Sequence, residues 1–254
     1  MRRITSLYWK NVSADIVDGQ RRVFEKLGLS VEQYQAHGLR HGLFMDQMLE
    51  RAGDDDVLLF VDIDAFPLTR EVVERAFACA EAGGVFAVAH AANHLPGAEM
   101  PFAGPMFLCV SRRTWDRVGR VSMLEGENTD VGQAFTFALK AHGVPIELLW
   151  PNFVCIPRWA LGPRAAIGIG TFYGGSEVFH LFESRADQGL NYALIYVADQ
   201  VSRGVPIDFV ALHAHMNAPA MQIRSRILAR TLRLRRKIHR IFFGKPKKQA
   251  LPGS

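Results

Sequence analysis

Two aspartates one residue apart, Asp62 and Asp64, interrupt the apolar run "VLLFVDIDAFPL" at residues 57–68. Carboxylates are costly to bury, and two side by side repel each other unless a proton or a cation lies between them. In an extended segment residues i and i+2 point to one side, so this spacing predicts both carboxylates together and Ile63 turned away. A hard divalent ion such as Mg²⁺ or Mn²⁺, its shell completed by water and phosphate oxygens, satisfies such a pair. The plainer reading is a solvated turn at a strand end, where aspartate is common. The preceding residues weigh against it. Residues 57–61 are apolar at every position, as in a central strand covered on both faces. Ligands of open α/β sheets bind beyond the carboxyl ends of such strands, which is where this pair falls.

The elements that must position the pair alternate along the chain. Residues 3–9 predict a strand, 15–28 a helix stopped by Gly28, 31–36 a short strand and 43–52 a second helix. After the strand at 57–61, Thr69 is placed to cap a helix that ends at Gly83-Gly84, and 85–90 is another apolar strand. This alternation predicts an α/β fold with a mostly parallel central sheet flanked by helices. The second half is less regular. Strands are expected at 104–111, 145–150, 153–157 and 177–182, the last of alternating character, and helices at 112–119, 129–143 and 188–203. No repeat and no Pro/Gly/Ser-rich linker divides the body, so one domain over residues 1–218 and a tail over 219–254 are expected.

Composition places the chain among folded proteins: it is 49% hydrophobic and 22% charged, which excludes disorder throughout. The basic start lacks an apolar stretch of signal-peptide length, and no spanning helix is read anywhere. Cys79, Cys109 and Cys155 are far apart among apolar residues and read as reduced core thiols, which suits the cytoplasm. Charge is unevenly placed. Eleven of the 30 Lys and Arg fall in residues 221–248, leaving 19 against all 25 Asp and Glu, and no acid follows Asp208. A nucleic-acid partner is not expected, because such proteins spread basic charge over the folded face. Ile223, Ile227, Leu234, Ile238 and Ile241 recur at helical spacing between the basic residues of the tail. That pattern fits an amphipathic helix on an anionic membrane surface, with a helix docked on the acidic body or an RNA-binding arm as the other readings.

In its order of motifs the chain resembles glycosyltransferases of the GT-A fold, of bacterial type. "DDDVLLFVDIDAFPL" resembles their D-x-D segment, and "SLYWKN" at 6–11 the first-strand end that receives the nucleotide base. "AGPMFLCVSRRTW" at 103–115 is similar to the sugar- and acceptor-facing segment, "ENTDVGQAF" at 127–135 to the acidic acceptor-site motif, and "VFHLFESR" at 178–185 to the late strand that returns a histidine to the metal. The resemblance implies a Rossmann-like GT-A domain. It implies transfer of a sugar from a nucleotide-sugar donor to a glycan or lipid-linked acceptor hydroxyl, in cell-surface polysaccharide or glycolipid assembly. Mn²⁺ or Mg²⁺ would assist, and the enzyme would work at the inner face of the cytoplasmic membrane. Carried onto this sequence, Asp64 is the primary metal ligand, Asp62 a ligand shared with the donor, and His180 the third. Neutral imidazole suits Mn²⁺ better than Mg²⁺. Tyr8, Trp9 and Asn11 fall on the donor side, and Gly104 and Pro105 on the acceptor side. Arg185 is placed to neutralise the diphosphate leaving group or is an ordinary surface arginine.

An inverting transfer needs a base for the acceptor hydroxyl. Asp130 is the first candidate, kept ionised by the positive end of its helix, and Glu127 the second. Thr129-Asp130 is equally an ordinary helix start. "ENTD" stands where the family more often has an acidic pair, which leaves the base and the stereochemistry open.

Lesser signals complete the reading. Tyr8 or Trp9, one of the two, would stack on a base, worth about 1–3 kcal/mol. "GIGTFYGG" at 168–175 lacks dinucleotide-fingerprint spacing and reads as a mobile loop. His90 with His94, and "HAH" at 213–215, lack the partners of a zinc site. A phosphatase of haloacid-dehalogenase type also carries D-x-D after an apolar strand, but with the nucleophilic aspartate on its first strand. A non-catalytic membrane-associated binding protein is the remaining alternative.

Overall fold

The computed structural model describes residues 1–92, 100–163, 165–185 and 188–224, with 226, 227, 230, 231 and 234. His94 and most of the basic tail lie outside the described residues. The first half alternates: β1 (Arg2–Tyr8), α1 (Ala14–Lys26), β2 (Glu32–Gln35), α2 (His41–Arg51) and β3 (Val57–Val61). β4 (Ala65–Pro67) follows the aspartates. Then come α3 (Arg70–Glu81), with the Thr69 hydroxyl accepting from the Val72 N–H at 3.4 Å, β5 (Val85–His90) and β6 (Phe102–Ser111). α4 (Arg112–Arg117), α5 (Gln133–Ala141), β7 (Ile146–Leu149), β8 (Pro151–Leu161), β9 (Ala165–Tyr173) and β10 (Val178–Leu181) lead to a 3-10 turn at Gln188–Asn191. α6 (Tyr192–Arg203) and α7 (Phe209–Met216) complete the order.

Six strands form a central sheet in the order β2-β1-β3-β6-β5-β7. Only β6 runs against its neighbours; the other pairs are parallel, so the sheet is the mostly parallel one expected. β3 shows why its sequence is apolar throughout. Val57, Leu59 and Val61 enter the core shared with α1 and α3, while Leu58 and Phe60 enter the core shared with α2, α4 and α5.

A second sheet, antiparallel throughout in the order β4-β10-β9-β8, packs with α6 and α7 on the α1 side. It corrects the sequence reading twice. The segment at 168–175 is no mobile loop; most of it is the buried strand β9. A Cβ at Gly168 would lie 2.4 Å from the Ile156 carbonyl, so this glycine serves close strand approach rather than flexibility. β10 is buried at all four positions rather than alternating, because it lies between β4 and β9 in a covered sheet.

The three cysteines are free, and burial pushes the Cys155 thiol up to about 12. No helix among the described residues is long and apolar enough to cross a membrane. Residues 219–224 are helical, with Met221 packed on the core and Arg224 lying over Gly189.

Candidate metal centre

Beyond Val61 the chain turns instead of staying extended. The Ala65 N–H donates to the Asp62 carbonyl at 2.9 Å, and the turn carries the chain from the central sheet into β4 of the smaller one. The extended i, i+2 geometry expected for Asp62 and Asp64 is therefore corrected. Their carboxylates come together through tertiary anchoring. Gln20, fully buried on α1, donates to the carbonyls of Asp62 (2.7 Å) and Ala65 (2.8 Å). The Asp62 N–H reaches the Met106 carbonyl at 3.0 Å, and the Leu181 N–H reaches the Asp64 carbonyl at 2.9 Å. Ile63 is buried, as expected.

His180 projects from β10 into this turn. Its Nε2 lies 3.4 Å from Asp64 Oδ1 and 3.9 Å from Asp62 Oδ2, and one ligand atom from each of the three residues falls within 4.8 Å of the others. Exposure grades across the set, from 5% for the His180 side chain through 15% for Asp64 to 28% for Asp62, so the site opens on the Asp62 side. Burial alone would raise the Asp64 carboxyl. The facing His180 and the Ser184 hydroxyl, 2.6 Å away, outweigh it and hold Asp64 below the usual carboxylate range.

The residues fit a divalent ion. Two carboxylate oxygens and one imidazole nitrogen, within 4.8 Å of one another, are the donor set of Mn²⁺ and similar cations. Among the described residues the buried Nδ1 of His180 has no hydrogen-bond partner, and the Phe182 ring packs against the imidazole with centroids 4.1 Å apart.

A cleft of about 280 Å³ opens on the carboxylates. Tyr8 and Trp9 both line it, contrary to the expectation of one; β1 stops at Tyr8, so strand alternation no longer governs Trp9. The Trp9 Nε1–H donates to the Leu39 carbonyl at 2.9 Å, which fixes the ring, and the Arg185 guanidinium lies 4.6 Å above it. Arg185 thus borders the cleft from the Trp9 end. Asn11, in the exposed turn beyond, does not line the cleft.

Arg40, His41 and Glu125 also line the cleft and were not singled out by the sequence. Arg40 and Glu125 pair at 2.6 Å, and His41 Nδ1 lies 3.1 Å from Asp62 Oδ1. In sequence Glu125 stands just ahead of the 127–135 motif and Arg40 and His41 beside none; only folding supplies their partners.

The acceptor-side assignments fare differently. α5 begins at Gln133 behind Gly132, whose φ of +77° favours glycine, so Asp130 lies ahead of the helix rather than in its first turn. Thr129 caps nothing; its hydroxyl accepts from the Gly126 N–H at 3.1 Å and closes a short turn. Asp130 Oδ2 lies 3.9 Å from His90 Nε2, and its neighbour Val131 lines the cleft. Glu127 is exposed and off the cleft. Gly104 and Pro105 are buried within β6 and do not line the cleft either; a Cβ at Gly104 would meet Met106 Sδ at 2.6 Å and the Val88 carbonyl at 2.9 Å. The smallness of Gly104 serves the β5–β6 contact. His213 and His215 sit on α7, against Phe153 and Tyr192 respectively.

No protein-family model and no curated protein matches the chain. Among solved structures it is similar to a protein from STIV, with 14% identity and a TM-score of 0.41 over 72% of this chain and 95% of that one. It is also similar to the catalytic domain of Drosophila beta1,4-galactosyltransferase 7 in complex with xylobiose, at 14% identity and a TM-score of 0.39 over 58% of this chain and 65% of that one. A mutant of the Drosophila enzyme in complex with manganese, UDP-Gal and xylobiose gives 12% identity and a TM-score of 0.41 over 71% of each chain. Likenesses this distant carry no argument.

Proposed function

We propose that the chain is a metal-dependent glycosyltransferase that moves a sugar from a nucleotide-diphosphate donor to an acceptor hydroxyl. One observation carries this reading: Asp62 and Asp64, grouped with His180, line the same cleft as Tyr8 and a fixed Trp9. Asp62, Asp64 and His180 hold Mn²⁺ or Mg²⁺. When bound, such an ion supplies positive charge where the diphosphate departs. Tyr8 and Trp9 receive the nucleotide base, and Arg185 and Arg40 flank the phosphates with guanidinium donors. Asp130, near His90, is the base that takes the acceptor proton. A phosphatase of haloacid-dehalogenase type is disfavoured, since its nucleophilic aspartate would lie on the first strand whereas this pair follows β3.

The acceptor is a glycan or a lipid-linked glycan, and the basic residues of 221–248 bring the enzyme to an anionic membrane, at the inner face of the cytoplasmic membrane. Ile223, Ile227 and Leu234, more than half exposed among arginines, support this placement.

Calorimetric titration with UDP and GDP, with and without Mn²⁺, tests the central claim. A nucleotide diphosphate should bind only with the cation, and Asp64→Ala should abolish that binding. Equal affinity without the cation, or an unaffected Asp64→Ala, would sink the reading.

A further inference from the structure

Each aspartate of the centre has one oxygen turned toward His180 and the other engaged elsewhere. Asp62 directs Oδ2 toward His180 Nε2 at 3.9 Å, while its Oδ1 meets His41 Nδ1 at 3.1 Å. Asp64 directs Oδ1 toward the same Nε2 at 3.4 Å, while its Oδ2 accepts from the Ser184 hydroxyl at 2.6 Å. The two outer donors come from different parts of the fold. His41 is the first residue of α2, and Ser184 lies in the turn after β10. His41 is part-exposed at the cleft wall, and Ser184 presents only its hydroxyl to the acid.

A carboxylate rotates easily about its last torsion, and two left free would swing apart to relieve repulsion. Donors fixed on the outer oxygens oppose that rotation, so the inner oxygens stay aimed at one point before any ion arrives. We propose that His41 and Ser184 are positioning residues that preorganise Asp62 and Asp64 for a divalent cation. This deepens the glycosyltransferase reading and rests on its cation site, although it makes no use of the sugar, the nucleotide or the acceptor. The His41 contact requires its proton on Nδ1, so an asparagine, whose Nδ2 reaches about as far, is its conservative replacement. Threonine plays the same part for Ser184.

The test is Mn²⁺ binding to the full chain without nucleotide, followed by calorimetry and by loss of the free-ion electron paramagnetic resonance signal. His41→Ala and Ser184→Ala should each weaken Mn²⁺ about 10- to 100-fold, as removal of outer partners does at metal sites. His41→Asn and Ser184→Thr should recover most of the loss. Circular dichroism should stay at wild-type values in all variants, as should the metal-free melting temperature of His41→Ala; Ser184→Ala, which strips a hydrogen bond from Asp64, should melt lower but remain folded at the temperature of the titration. Alanine variants that bind Mn²⁺ like the wild type overturn the inference, as do losses that the conservative variants fail to restore. A wild type that ignores Mn²⁺ removes both the inference and the cation-dependent reading. Weakened Mn²⁺ binding in a protein that takes up no nucleotide would uphold the positioning roles and remove only the glycosyltransferase reading.

Discussion

Further along α2 the Asp46 carboxylate is buried, with Oδ1 accepting from the Met123 N–H at 2.7 Å and Oδ2 from the Ser122 hydroxyl. Burial raises its proton affinity more than these hydrogen bonds lower it, and the charge of Glu50 adds to the rise. A carboxyl raised in the folded state favours folding below its unfolded value, and that contribution is lost as pH climbs through the folded one. Asp46→Asn keeps an acceptor for Met123 without the charge. It should therefore remove this pH-dependent loss and leave stability at pH 7 equal or higher. Asp46→Ala strands the Met123 N–H and should cost about 1–3 kcal/mol. Urea unfolding at acid and neutral pH checks both; a large loss in Asp46→Asn at pH 7 would contradict the argument. At this scale the sequence revealed Asp62, Asp64 and His180 but not His41, Ser184 or Glu125. Chemistry concentrated in a short motif is legible, whereas Ser184 acquires its role only by meeting a residue 120 positions away.

Elements were legible where one period or one stop signal governs them. β3, covered on both faces, matches its apolar run residue for residue, and α3 starts behind its capping threonine. α5 was misplaced because Thr129-Asp130 has the side chains of a helix start while Gly132 supplies the backbone of one. β9 was missed because glycines that admit a neighbouring strand look the same in sequence as glycines that loosen a loop. The start of α2 tests such packing. A Cβ on Gly42 would come within 2.5 Å of Leu124 Cα and 2.6 Å of the Met123 carbonyl, in the segment that carries Glu125. Alanine improves helix propensity by about 1 kcal/mol, but overpacking against backbone costs about 1–3 kcal/mol. Gly42→Ala should therefore lower the urea midpoint, and a stabilised variant would show that the 123–125 segment yields freely.

Over the whole molecule, the acidic body and the basic tail divide the charge. Residues up to Arg224 are docked, through Met216 and Met221 on the core and Asn217, which accepts from the Ile156 N–H at 3.2 Å. Removing 225–254 should leave the melting temperature nearly unchanged and abolish flotation with anionic vesicles, while binding to neutral vesicles is weak in either form. A truncated chain that still floats would place the lipid contact on the body. The fold class was legible at this scale because alternation of elements is local, and the smaller sheet was not, because its pairings join segments distant in the chain.

The turn at residues 62–65 belongs to both sheets at once, leaving β3 of the larger and entering β4 of the smaller, with His180 brought in on the adjacent strand. No fragment shorter than residues 62–180 carries the complete ligand set, and a state in which only the six-stranded sheet has formed does not assemble it. Capture of an ion by all three side chains is therefore a certificate of finished folding: a chain that has not closed its last hairpin onto β4 offers two carboxylates and no imidazole.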